Sequence, residues 1–293
     1  MGTLRIGTCS WKYPSWEGLV YSRATGIDYL AEYARRYTTV EVDQWFWSLF
    51  GGKVRLPAEK EVRAYAEAVP DSFRFTVKLP NALSLTHDYA KGRTGPLVAN
   101  GHFLSPELLG AFLAAVEPLI PHVGLFFLQF EYLNKQKMLG LPAIMEQLMR
   151  FLEAWPSHLP LGVEIRNPRW IGAPWLRVLK EHGVAPVLLE GYYMDPLEQT
   201  LMAHRELLTG PLCIRLHGRE RQEMEKLTGK KWGAIVRPLD PVIRGIVPFL
   251  SWRQCLEPDL YVNVNNHFEG CAPLTIEKLK EELIRYDGQS APN

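Results

Sequence analysis

Short apolar runs alternate with amphipathic, helix-period segments along all 293 residues, and this alternation restricts the fold more than any single motif. The runs fall at residues 4–8, 39–43, 73–78, 123–129, 161–166, 184–190, 212–217 and 260–265. Helix-period stretches lie between them at 28–37, 58–68, 106–118, 143–155 and 175–182, and a charged helix is expected near 275–286. Repeated strand–helix alternation indicates parallel βαβ units, and eight such units close into a barrel. An open doubly wound sheet usually carries a Gly-rich phosphate turn after its first strand, whereas Gly7-Thr8-Cys9-Ser10-Trp11 stands here. The expected fold is α/β, a single (β/α)8 TIM-type barrel over residues 1–287, with a flexible tail at 288–293. Long loops are expected after the third strand (79–105) and the seventh (218–259, with a helix near 240–256), both on the face where barrels carry their chemistry.

Bulk properties narrow the function classes. Balanced charge, 33 Lys+Arg against 32 Asp+Glu, argues against coating nucleic acid or anionic membrane by bulk electrostatics. The 47% hydrophobic content suits a large buried core. The N-terminus runs into a strand without the basic and apolar regions of a signal peptide, so a cytoplasmic protein is expected. Four cysteines without a Cys-x-x-Cys pair read as reduced thiols. The most apolar stretch, 110–130, is interrupted by Glu117, Pro118, Pro121 and His122, so no membrane association is expected.

The strands carry the informative anomaly. Strands of a parallel barrel are buried on both faces and should be apolar throughout. Here one parity is polar: Glu41 and Asp43 in the second strand, Thr76 and Lys78 in the third, Glu164 and Arg166 in the fifth, Arg215 and His217 in the seventh, Asn263 and Asn265 in the eighth. The apolar parity must meet the helices, so the polar parity lines the lumen. Taking the last inward position of each strand gives Ser10, Asp43, Lys78, Gln129, Arg166, Glu190, His217 and Asn265, with Glu41, Glu164, Arg215 and Asn263 beneath. Buried charges left unpaired would cost several kcal/mol each, so they must pair with one another or meet water and ligand at an open mouth.

That set suggests chemistry. Arg166, Arg215 and Lys78 are candidate binders of carboxylate or phosphate. Glu41 and Glu164 are candidate acid/base groups, and His217 a proton shuttle or ligand. Asp43, His87, Gln129, Glu190, Asn263, Asn265 and Asn266 are further candidate substrate-binding residues. Trp11 and Trp45 are the aromatic residues expected to face it, as stacking surfaces for a ring. No cofactor is assigned, although Glu41, Asp43, Glu164, Glu190 and His217 could hold a single Mg²⁺ or Mn²⁺ through oxygen ligands. An acid/base enzyme acting on a small polar, sugar or phosphate-bearing ligand is the first expectation. A nucleic-acid binding or processing protein is the alternative, with Thr86, His87, Lys91, Arg93, Arg219 and Arg221 as a basic rim.

The motifs in order resemble the YecE-like family, the domain of unknown function numbered 72. They are Gly7-Thr8-Cys9-Ser10-Trp11 with Tyr13 and Trp16-Glu17-Gly18; Thr39-Val40-Glu41-Val42-Asp43 with Phe46; Phe75 to Lys78; Thr86-His87; Gln129; Glu164-Ile165-Arg166 with Trp170; Arg215-Leu216-His217-Gly218; and Asn265-Asn266 with Gly270 and Ala272. The resemblance spans nearly the whole chain. It implies a TIM-type barrel similar to sugar isomerases and endonuclease IV-like proteins, and no particular reaction. The sequence departs from the family pattern at Asp43 (usually Asn), Trp47 (often Tyr), Phe130-Glu131 (usually Pro-Pro) and Arg169 (usually Ser). The Asp43 change adds negative charge to the mouth.

Overall fold

The computed structural model describes residues 3–50, 52–88, 96–257 and 259–290. The strands are β1 (Leu4–Cys9), β2 (Thr39–Val42), β3 (Leu49–Phe50), β4 (Lys53–Val54), β5 (Arg74–Lys78), β6 (Val123–Gln129), β7 (Leu161–Glu164), β8 (Ala185–Gly191), β9 (Leu212–Gly218) and β10 (Leu260–Val264). Eight of them close a parallel barrel in the circular order β1-β2-β5-β6-β7-β8-β9-β10. The expected (β/α)8 architecture is present, and each of the eight apolar runs is a barrel strand. The short antiparallel pair β3–β4 was not anticipated, and it sits in the aromatic segment after β2.

The helices are α1 (Tyr29–Ala34), α2 (Glu59–Glu67), α3 (Asn81–Ser84), α4 (Pro106–Ala115), α5 (Leu141–Ala154), α6 (Ala173–Glu181), α7 (Leu197–Ala203), α8 (Arg221–Thr228), α9 (Asp240–Gln254) and α10 (Ala272–Ser290). Their starts follow local chemistry. The Asp28 carboxylate accepts from the amides of Leu30 and Ala31 at 3.0 Å, and the Ser105 hydroxyl accepts from Leu108 N at 3.1 Å just before Pro106. The short helices α3, α7 and α8 were not anticipated from the sequence. Gly288 to Ser290, expected in a tail, belong to α10, and the remaining expected tail residues lie outside the described ones. Among the described residues no helix is long and apolar enough to cross a membrane.

Two apolar layers bracket the lumen. Outward strand residues such as Val40, Val42, Phe75, Val77, Ile214, Leu216, Val262 and Val264 pack into the main core beneath the helices. A separate inner cluster of Leu125, Phe127, Ala185, Val187, Cys213 and Tyr261 plugs the barrel below its polar tier. That plug closes the lumen from beneath, leaving the C-terminal mouth as the approach for solvent or ligand.

Candidate active site at the barrel mouth

Residues paired in register on parallel strands share a face. Cys9 pairs with Glu41, Glu41 with Thr76, Lys78 with Phe127, Gln129 with Glu164 and Asn263 with Arg215, so all of these face the lumen. Arg215 is their hub. Its Nε and Nη2 each donate to Glu41 at 2.7 Å, while Nη1 donates to Glu164 and, at 3.2 Å, to Gln129. Arg215 is 1% exposed and both glutamates are fully buried. The bidentate fork onto Glu41 offsets much of the cost of desolvating these charges. Arg215, expected to bind an external anion, instead holds two carboxylates rigidly apart.

The surrounding groups complete the tier. Arg166 Nε donates to Glu164 at 2.7 Å and its guanidinium lies 4.9 Å from the Tyr192 ring centroid. Asn263 Nδ2 donates to Thr76 Oγ1 at 2.8 Å and to Glu41 at 3.3 Å. The Cys9 thiol donates to Glu41 Oε2 at 3.6 Å and lies 3.5 Å from His217 Nε2. Lys78 sits with Nζ 3.8 Å from the Phe46 ring centroid.

The electrostatics sort these groups by role. Burial pushes the Glu164 carboxyl up, but the Arg215 and Arg166 charges outweigh it and bring it down to about 2. Burial, then the Arg215 charge, lowers the Lys78 ammonium to about 8 against the partial pull of Glu41 and Asp43. Burial and the Arg215 charge hold His217 well below the usual imidazole range, so it is neutral at pH 7. Burial and the Glu41 charge push Asp43 and Cys9 up, which leaves Cys9 a protonated, unreactive thiol.

Glu164 has a direct consequence for acid stability. Its carboxyl is lowered from 4.5 to about 2, so the folded state favours the ionised form. The resulting stabilisation is complete above pH 4.5 and is lost as pH falls toward 2, on the order of 3 kcal/mol. Glu164→Gln should therefore show a flatter fall in stability than the parent between pH 4.5 and 2, measured by denaturant unfolding at each pH.

Several expected positions are corrected. Glu190 was placed in the inward ring, but it pairs in register with Leu216, whose side chain belongs to the outer core. Its carboxylate accepts from Leu197 N at 2.8 Å and pairs with Arg219 at 3.6 Å, anchoring the start of α7. In β1 the last inward residue is Cys9 rather than Ser10, whose backbone turns into the left-handed region at φ 64°. Asn266 is buried with its Oδ1 accepting from Ala272 N at 2.9 Å, at the start of α10. Asn265 Oδ1 accepts from His267 N at 2.9 Å. Trp11 and Trp45 are buried and hold Tyr65 between them, edge-on at 4.9 Å and stacked at 5.6 Å, and Trp45 Nε1 donates to Glu61. They pack the loops onto α2 rather than offering a free face. His87 Nδ1 lies 2.9 Å from Thr86 Oγ1. Arg221 pairs with Glu225 at 2.8 Å, and Lys91 and Arg93 lie outside the described residues.

A metal is poorly accommodated by the carboxylates expected to bind it. Glu41 and Glu164 are engaged by guanidinium groups, and Glu190 points away. Among the described residues, one group of three potential ligands is close-set: Cys9, Glu41 and His217, with donor atoms within 4.8 Å of one another. A thiol and an imidazole suit Zn²⁺ better than Mg²⁺ or Mn²⁺. The Glu41 oxygen in that group already accepts from Arg215 Nε, so a dication there would sit against a buried guanidinium.

A cleft of about 720 Å³ flanks the mouth, lined by Tyr132, Met138, Leu139, Asn167, Trp170 and Tyr193 among others. Asn167 and Tyr193 directly follow Arg166 and Tyr192, the cation–ring pair at the rim. Sequence patterning missed this cleft because its aromatic residues fall in loops without periodicity.

Fold and site together define a (β/α)8-barrel protein with a charged, organised lumen beneath its C-terminal mouth. A family model described as "Protein of unknown function DUF72" matches residues 5–293. The chain belongs to the DUF72 family. The UPF0759 protein YecE of Escherichia coli K12 is 30% identical over 190 residues, 63% of this chain and 58% of that protein, so the match spans less than two thirds of the relative. A DUF72 family protein from Enterococcus faecalis V583 superposes with TM-score 0.69 at 19% identity, covering 96% of each chain. One from Thermotoga maritima MSB8 gives TM-score 0.63 at 20% identity, covering 96% of this chain and 99% of that one. At such identities the structures establish the shared fold.

Proposed function

We propose that this chain is an acid/base enzyme acting on a small polar molecule that bears phosphate, carboxylate or sugar hydroxyls, bound at the barrel mouth. The observation that carries the reading is the division among three lumen cations. Arg215 is sealed and fully engaged, whereas Arg166 keeps 20% of its side chain exposed and Lys78 has no hydrogen bond or ion pair among the described residues. An incoming anion would meet Arg166 and Lys78, held in place by Glu164 and by the Phe46 face. Half-buried Asp43 and neutral His217 are the groups suited to carry protons at neutral pH. Glu164, an anion throughout the working range, orients Arg166, and Glu41 is fixed by the Arg215 fork. Gln129 and Asn263 line the lumen from opposite strands, β6 and β10. No step in this reading passes through Mg²⁺ or Mn²⁺, because two of the carboxylates expected to hold them, Glu41 and Glu164, are held by guanidinium groups.

The nucleic-acid alternative draws less support, since Arg219 and Arg221 are each neutralised by a neighbouring glutamate. A reducing, cytoplasmic setting fits the four unpaired thiols, three of them buried. The test is a thermal-shift panel of phosphorylated sugars and sugar acids against their neutral counterparts. Anionic ligands should stabilise the protein, and Arg166→Ala should weaken that binding about ten-fold or more, from the loss of a charge-assisted hydrogen bond. An Arg166→Ala protein that binds as tightly as the parent would sink the assignment.

A further inference from the structure

We propose that Lys78 is a covalent nucleophile of this barrel, forming an imine through Nζ with the carbonyl of an aldehyde or ketone that carries an anionic group. The inference deepens the reading of the mouth as an anion site and rests on it. Lysine is the residue type whose ammonium is hardest to leave buried without a partner. Lys78 is nonetheless 7% exposed, and among the described residues its Nζ makes no hydrogen bond or ion pair and lies 3.8 Å from the Phe46 ring centroid. A lysine serving structure would be expected to pair with one of the nearby carboxylates. Here both oxygens of Glu41 and both of Glu164 accept from arginine instead. The amine is thus left over by the network, at the C-terminal end of β5, where barrel chemistry collects.

Its surroundings raise the share of the neutral, nucleophilic form. A lysine beside a second fixed cation in a dehydrated pocket loses its proton more readily, and Arg215 supplies that cation here. The step is balanced as follows. The Nζ lone pair attacks the carbonyl carbon, the C–O π pair moves to oxygen, and a proton passes from nitrogen to oxygen to give a carbinolamine. Protonation of that hydroxyl, loss of water and retention of the C–N bond then give the iminium. The substrate's phosphate or carboxylate would lie against the exposed edge of Arg166, and half-buried Asp43, within electrostatic reach of Lys78, is placed to deliver the proton that leaves with water.

The test uses the full chain with glyceraldehyde 3-phosphate as probe and glyceraldehyde as uncharged control, each followed by sodium borohydride, whose hydride converts the imine to a stable secondary amine. Peptide mass mapping then reads each lysine. The phosphorylated probe should label Lys78 at least about ten-fold faster than any other lysine at pH 8, and faster than the uncharged probe does. Lys78→Arg and Lys78→Met should lose that adduct while keeping parental circular dichroism. Labelling confined to surface lysines, or equal at Lys78 and elsewhere, would overturn the proposal. If anionic sugars still stabilise the protein through Arg166 while Lys78 stays unlabelled, the imine fails and the acid/base reading stands. If neither occurs, both fail.

Discussion

Replacing Arg215 with leucine is expected to destabilise the protein by about 3–5 kcal/mol, the usual cost of breaking a buried ion network from one side. At this chain length that corresponds to a fall in Tm of about 5–8 °C. The substitution removes donors that Glu41 and Glu164 depend on while leaving both carboxylates fully buried. Arg166 can still serve Glu164 at 2.7 Å, so Glu41 takes the larger share of the loss and keeps only the weaker Asn263 and Cys9 contacts. Adding Glu41→Gln to Arg215→Leu should recover part of the stability, because an amide costs far less to bury than an unpaired carboxylate. Arg215→Lys should fall between, keeping the charge but not the planar fork. Thermal and urea unfolding of the variants measures all three. A loss under about 1 kcal/mol for Arg215→Leu would mean that the hub carries little of the lumen's stability.

The barrel was legible because its signal is redundant. Each strand announces itself by an apolar run, and the polar parity of β2, β5, β7, β9 and β10 points to a common axis without help from coordinates. Glu41, Thr76, Glu164, Arg215 and Asn263 meet there as expected. Parity failed in two strands that carry no run of alternating polar residues. In β8 the register is regular from Val187 to Glu190, with Leu189 level with Arg215 and Glu190 level with Leu216, so Glu190 falls on the helix side. In β1 Cys9 is level with Glu41, so Cys9 faces inward and Ser10 does not. A strand apolar on both faces leaves the choice of inward parity open in the sequence.

The choice of partners was less accessible still. Three cations and several carboxylates at one mouth permit many pairings, and composition cannot say which cation is left over. Strand register decides it. Arg215 lies one β-ladder step from Asn263 and reaches across to Glu41 and Glu164, whereas Lys78 projects over Phe127 toward Phe46. The same geometry moves Trp11 and Trp45 from expected ligand stackers to packing groups around Tyr65, since their rings fill the gap above α2. Exposed aromatic surface beside the flanking cleft comes from Tyr132 and Tyr193, edge to face at 5.8 Å.

Gly218→Ala is the backbone counterpart of the Arg215 variant and is expected to cost about 4 kcal/mol, from an unfavourable φ and a methyl group with no room. Gly218 ends β9 at φ 74°, and a Cβ there would lie 2.5 Å from the His267 carbonyl oxygen and 2.9 Å from Phe268 Cα. Both obstacles are backbone, so no side chain can swing aside. The strain would spread into the site. The Gly218 carbonyl accepts from Tyr192 N at 3.0 Å, and the Tyr192 ring carries the Arg166 guanidinium. Displacing Gly218 therefore shifts Tyr192 and Arg166 on one side and His217 on the other. The expected result is a lowered Tm together with weakened binding of whatever anionic ligand the parent protein holds. Gly210→Ala supplies the control, because its added methyl meets nothing within 4 Å and should leave both properties near parental values. If Gly218→Ala melts with the parent, the close approach of β9 to the 267–268 turn does not constrain the mouth. If it loses stability but binds ligand normally, Arg166 is positioned by Glu164 alone and Tyr192 contributes nothing to its placement.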